Sequence, residues 1–175
     1  DDPSLLVAVS RRILEVLELA MPAPVEEKKV RGKKKKGKKK KKADPRKLEV
    51  LDACFALGRA CNKVRDMEDA RRYFKQAKEG YEEQLGPDSE KALEATFSVI
   101  CATEMSNRER IEKYRALVEK IVGALGEENV VTLDTLNDLG AELQKNGELE
   151  ESRKGYERCL GGQVKVLGED HKITL

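Results

Sequence analysis

Two sets of side chains in this sequence could do chemistry: four cysteines, Cys54, Cys61, Cys101 and Cys159, and a run of cations between Lys28 and Lys42. A thiol can be a nucleophile, a metal ligand or half of a disulfide, and each role has its own spacing. No two of these cysteines form a CxxC pair, and Cys54 and Cys61 would lie about two helical turns apart, too far for a disulfide. The single histidine, His171, stands in a turn-like stretch, where a solvated or capping role is preferred over that of a general base or zinc ligand. The glycines Gly155, Gly161 and Gly162 do not make a phosphate loop, because no Gly-Lys-Ser/Thr follows and no strand precedes them. No residue is therefore assigned to catalysis, to a metal or to a cofactor, and a non-enzymatic protein with free thiols in a reducing compartment is expected.

The cationic run holds eleven Lys and one Arg within fifteen residues. Lys33, Lys34, Lys35, Lys36, Lys38, Lys39, Lys40, Lys41 and Lys42 form its densest part, a candidate anion-binding segment for nucleic acid or an acidic membrane surface. Without interleaved aromatics, any nucleic-acid binding there would be blind to sequence. A nuclear or nucleolar address is another reading, as is a solvated insertion that touches the rest of the chain or covers it against a basic ligand. Like-charge repulsion predicts that 22–43 stays unfolded. The net charge of +2 hides a segregation, since the rest of the chain sets 23 basic residues against 33 acidic ones.

The elements around these residues follow from one repeated stretch. Leu85-Gly86-Pro87-Asp88 returns as Leu125-Gly126-Glu127-Glu128 and as Leu167-Gly168-Glu169-Asp170, with the glycines 40 and 42 residues apart. Each copy reads as a helix end, closed by a Gly in the left-handed conformation, followed by a polar helix start. Helical hairpins are predicted between the turns: 46–64 with 67–84, 90–105 with 108–124, and 132–145 with 148–166. Gly161-Gly162 would mark a kink or a weak point in the last helix, at about 1 kcal/mol per Gly against Ala. The N-terminal 1–21 reads as an amphipathic helix stopped by Pro22 and Pro24. Three repeats at about 44–86, 87–126 and 127–168 fill 44–175 together with the start of a further unit. With 39% hydrophobic and 4% aromatic residues, the composition suits an all-α array cored by Leu, Val, Ile and Ala. No apolar run reaches the roughly 18 residues that span a bilayer.

Within the hairpins the residue types resemble the tetratricopeptide repeat. Cys54, Leu57, Gly58 and Cys61 with Ala70, Phe74 and Ala77 carry the pattern in the first unit; Leu136, Leu139, Gly140 and Leu143 with Ser152, Tyr156 and Cys159 carry it in the third. The second unit departs from it, with Ile100 in place of a Gly and Arg110 in place of a small residue. The Leu-Gly-Pro-Asp turn and Leu136-Asn137-Asp138-Leu139-Gly140 are similar to the kinesin-light-chain-like subfamily.

That resemblance implies an α-solenoid wound as a right-handed superhelix, whose inner wall is built from the first helix of each unit. It places Phe55, Arg59, Asn62, Phe97, Cys101, Glu104, Asn137, Ala141 and Gln144 on that wall as a peptide groove. The implied function is a cytoplasmic scaffold that binds a peptide or partner helix, with cargo-adaptor work as one instance. Anion binding through the Lys run, and a sensor array of a larger signalling protein, are the alternatives.

Overall fold

Each helix begins where the sequence offers an acceptor for its first free N–H groups. In the computed structural model, which describes residues 43–168 together with Leu5, Val7, Ala8, Val9, Arg11, Arg12 and Glu15, Asp44 accepts from Arg46 N and Pro45 fills the first turn of α1 (Pro45–Lys63). Asp66 accepts from Asp69 N at the head of α2 (Met67–Leu85). Ser89 precedes α3 (Glu90–Cys101). Ser106 accepts from Glu109 N before α4 (Asn107–Leu125), and Asn129 accepts from Val131 N before α5 (Val130–Lys145). The last helix, α6, runs Leu149–Leu167. The Lys run, the rest of the stretch 1–21 expected to be helical, and His171 lie outside the described residues.

The closing glycines take positive φ, but not the left-handed helical shape expected of them. Gly86, Gly126 and Gly168 have φ of 98°, 87° and 89° with ψ of 158°, 172° and 162°. This is the extended mirror region that only Gly occupies at low cost. After Gly86 and Gly126 the next helix starts four residues on. The Ser89 hydroxyl donates to the Gly86 carbonyl at 2.8 Å, and the Thr132 hydroxyl donates to the Gly126 carbonyl at 2.7 Å, which fixes each turn on the helix that follows.

The helices form three hairpins, each packed on the next. Small residues let the helices of a hairpin approach: a Cβ on Gly58 would come within 2.7 Å of the Phe74 ring, and one on Gly140 within 2.9 Å of the Tyr156 ring. Gly162 behaves in the same way. A Cβ there would lie 2.4 Å from Leu133 Cδ2, while one on Gly161 would meet nothing. The helix passes through both glycines, so Gly162 is a close-approach position and the expected kink gives way to a packed crossing.

The second hairpin departs most from the others. Its first helix ends at Cys101, not near residue 105. Thr96, Ser98 and Thr103 turn their hydroxyls back to the carbonyls four residues earlier, at 2.6–3.0 Å, which competes with helix propagation. Arg110 then donates to the Thr103 carbonyl at 3.3 Å, holding a turn of Ala102 to Ser106. Ile100, in the place of the family's Gly, is buried in one cluster with Ile111, Tyr114 and Leu117.

The core is two buried clusters that meet at α3. One gathers Cys54, Leu57, Phe74 and Tyr81 with Ala92, Ala95 and Ala102; the other gathers Leu93 and Ile100 with Tyr114, Ile121, Leu136 and Leu143. The small face of α3 thus serves the first hairpin and its large face the rest. Val7 packs on the first cluster, and Arg11 pairs with Asp69 at 3.0 Å.

Candidate interaction groove

The first helices of the hairpins share one wall, on which α3 touches both α1 and α5. A cleft of about 420 Å³ opens on this wall. Phe55, Arg59 and Asn62 line it from α1, Glu94, Phe97, Ser98 and Cys101 from α3, and Val130, Val131 and Asp134 from α5. Phe55 is held by Phe74, with ring centroids 5.4 Å apart, and Phe97 by Tyr114 at 6.1 Å. Both groove aromatics are therefore fixed by buried rings behind them, which lowers the entropy cost of presenting them to a ligand.

Beneath the cleft Cys101 Sγ lies 3.3 Å from the Tyr114 hydroxyl and 3.7 Å from Asp138 Oδ2, and the Tyr114 hydroxyl stands 3.4 Å from that same carboxylate oxygen. Burial pushes the Cys101 thiol up to about 11, so it is not a thiolate nucleophile at neutral pH. Burial also raises the Asp138 carboxyl against the opposing hydrogen bonds from Tyr114 and Cys101. Glu94 is raised by burial as well, with Arg59 acting the other way. An adjoining cleft of about 440 Å³ shares Phe55, Arg59 and Glu94 and continues to Asp52, Tyr81 and Lys91.

Five of the nine groove residues expected from the sequence, Phe55, Arg59, Asn62, Phe97 and Cys101, thus line one cleft. Asn137 and Gln144 line a separate one of about 500 Å³, formed with Leu149, Tyr156 and Leu160 of α6. Ala141 is half-buried and lines none of the three; Glu104 is exposed in the turn after α3, off the helix expected to carry it. Glu94 and Asp134 went unread in the sequence, and Asp138 entered there only within the Leu136–Gly140 stretch. Glu94 and Asp134 each precede a wall residue, Phe97 and Asn137, by three positions, and one helical turn of spacing was the available signal.

Among the described residues, Cys61, Asp66 and Asp69 bring ligand atoms within 4.8 Å of one another. Their atoms are already engaged: Asp66 caps α2, and Asp69 pairs with Arg11 and Arg72 at 3.0 and 3.1 Å. Burial raises the Cys61 thiol. Cys54, Cys61 and Cys159 are buried in the core. No described helix is long and apolar enough to cross a membrane.

Residues 132–171 match the family model described as Tetratricopeptide repeat, a match that falls on the third hairpin. The fold is a tetratricopeptide-repeat solenoid. Among solved structures the solenoid is similar to BtubC (BKLC) from P. vanneervenii, with a TM-score of 0.70 at 15% identity over 99% of this chain. It spans 62% of that protein's length. No curated protein matches the chain. Repeats of this kind generally serve as scaffolds for protein partners, and the second hairpin, which carries Ile100 and Arg110 against the family pattern, is the part of the solenoid where the resemblance is weakest.

Proposed function

We propose that this chain is a non-catalytic interaction scaffold that binds a peptide segment or partner helix along the wall of α1, α3 and α5. The observation that carries this reading is the cleft itself. Side chains from two successive units, Phe55, Arg59 and Asn62 on one and Phe97 and Cys101 on the other, converge on one apolar-floored opening with polar groups at its edge. Asn62 and Ser98 can bond a ligand's backbone, and the two Phe rings can take its apolar side chains. The kinesin-light-chain-like turns support a cargo-adaptor role as one instance of such binding.

A photo-crosslinking side chain placed at Asn62, exposed on the cleft, and separately at Glu119, exposed on α4, tests this. Discrete adducts with protein partners are expected from position 62 and not from 119. Equal adducts from both positions would refute the groove.

A further inference from the structure

The wall carries one carboxylate per unit at a common register: Asp52, Glu94 and Asp134, spaced 42 and 40 residues apart. Each stands three residues before a wall residue, namely Phe55, Phe97 and Asn137. The three acids are not equally satisfied. Asp52 is met within the chain by Lys91 and the Tyr81 hydroxyl, both at 2.6 Å. Glu94 has Arg59 beside it but also feels Glu90 and Asp134. Asp134 is raised by burial and by a further carboxylate, Asp138. Among the described residues that line this cleft, Arg59 is the single cation against Glu94 and Asp134, while Lys91, which also acts on Glu94 from the adjoining cleft, is already paired with Asp52; the floor between them is Phe55, Phe97 and Val131.

We infer that the segment this groove accepts is basic, an apolar side chain resting on Phe55 and Phe97 with a Lys or Arg reaching the carboxylates of Glu94 and Asp134. This rests on the groove reading above and specifies its partner. Charge complementarity decides between ligand signs: an acidic segment would find one guanidinium and two repelling carboxylates, whereas a basic one relieves the repulsion between Glu94 and Asp134. Glu94, half-buried in the cleft and raised by burial, gains more from an incoming cation than a fully exposed carboxylate does.

The test uses the full chain and three fluorescein-labelled probe peptides of equal length. One alternates Leu and Phe with Lys, one alternates Leu and Phe with Glu, and one carries Lys among Ser and Gly only. Fluorescence anisotropy should show the Leu/Phe/Lys probe binding at least about tenfold tighter than either other probe. E94Q/D134N, which keeps side-chain shape, should bring the Lys and Glu probes together, with circular dichroism confirming the fold. E112Q/E119Q, on exposed positions of α4, should leave the preference intact. The inference is overturned if the Glu probe binds tighter, if the preference survives E94Q/D134N, if E112Q/E119Q removes it equally, or if the apolar-free Lys probe binds as well. If neither apolar probe binds, the groove reading falls and takes this inference with it.

Discussion

Lys91 Nζ stands 2.6 Å from Asp52 Oδ1 across the joint between the first and second hairpins, and the buried Tyr81 hydroxyl donates to the same oxygen at 2.6 Å. The two contacts differ in worth. The Lys91–Asp52 pair is half exposed, at 44% and 49% of the side chains, so K91A should cost about 0–1 kcal/mol. D52A leaves the Tyr81 donor, on a residue only 2% exposed, without an acceptor and should cost about 1–3 kcal/mol. D52N keeps an acceptor and should fall between them. Urea unfolding of the three variants checks the order; equal losses for D52A and K91A would contradict it.

The paired glycines of α6 should respond with opposite sign. G161A points into open space and should stabilise by up to about 1 kcal/mol through helix propensity. G162A must displace the buried Leu133 side chain and should leave the protein at least about 1 kcal/mol less stable than G161A. Melting temperatures of the two variants, measured side by side, decide it.

Burial raises the carboxyls of Glu94 and Asp138 above their ordinary range. A carboxyl that holds its proton more tightly when folded favours the fold below its unfolded pKa, near 4. That contribution is lost as pH rises through the folded value. E94Q/D138N removes this loss, so the variant should gain on the parent between about pH 4 and pH 7. Thermal unfolding of both proteins at the two ends of that window would show the gain, and a constant difference would speak against it.

Cys101 is partly exposed, yet burial of its thiol pushes it up to about 11, with the charge of Asp138 contributing. Alkylation of the native chain near pH 8 should therefore be slow at Cys101 as well as at the buried Cys54, Cys61 and Cys159. D138N should speed labelling of Cys101 severalfold and leave the other three unchanged, a pattern that peptide mass spectrometry can follow. Acceleration at all four would indicate loosening of the fold instead.

Local grammar made the helices legible. Asp44, Asp66, Ser106 and Asn129 cap within three residues of their own positions, and the Leu-Gly turns repeat at intervals of 40 and 42 residues, so each boundary is written nearby. The end of α3 was less legible because it depends on which way three hydroxyls turn and on Arg110, from the next helix, reaching Thr103. Gly162 looked like a weakness because its partner Leu133 is 29 residues away. The repeat held the clue: Gly80 and Leu51, each 82 residues earlier, stand in the same relation, with a Cβ on Gly80 only 2.2 Å from Leu51 Cδ2. Superposing the units, not scanning each helix alone, also exposes the acids at 52, 94 and 134. Asn137 and Gln144 fell away from the groove because the α5 wall opens, at its far side, onto α6.

The twelve-residue α3 is shared property, its alanines belonging to one buried cluster and its Leu93 and Ile100 to the other. Whatever rests on Phe97 therefore grips the splice between two halves that could otherwise melt separately. In a one-dimensional array, nearest-neighbour coupling sets how far order propagates. Occupancy of the groove would thus be felt as cooperativity: two loosely joined unfolding events drawn into one.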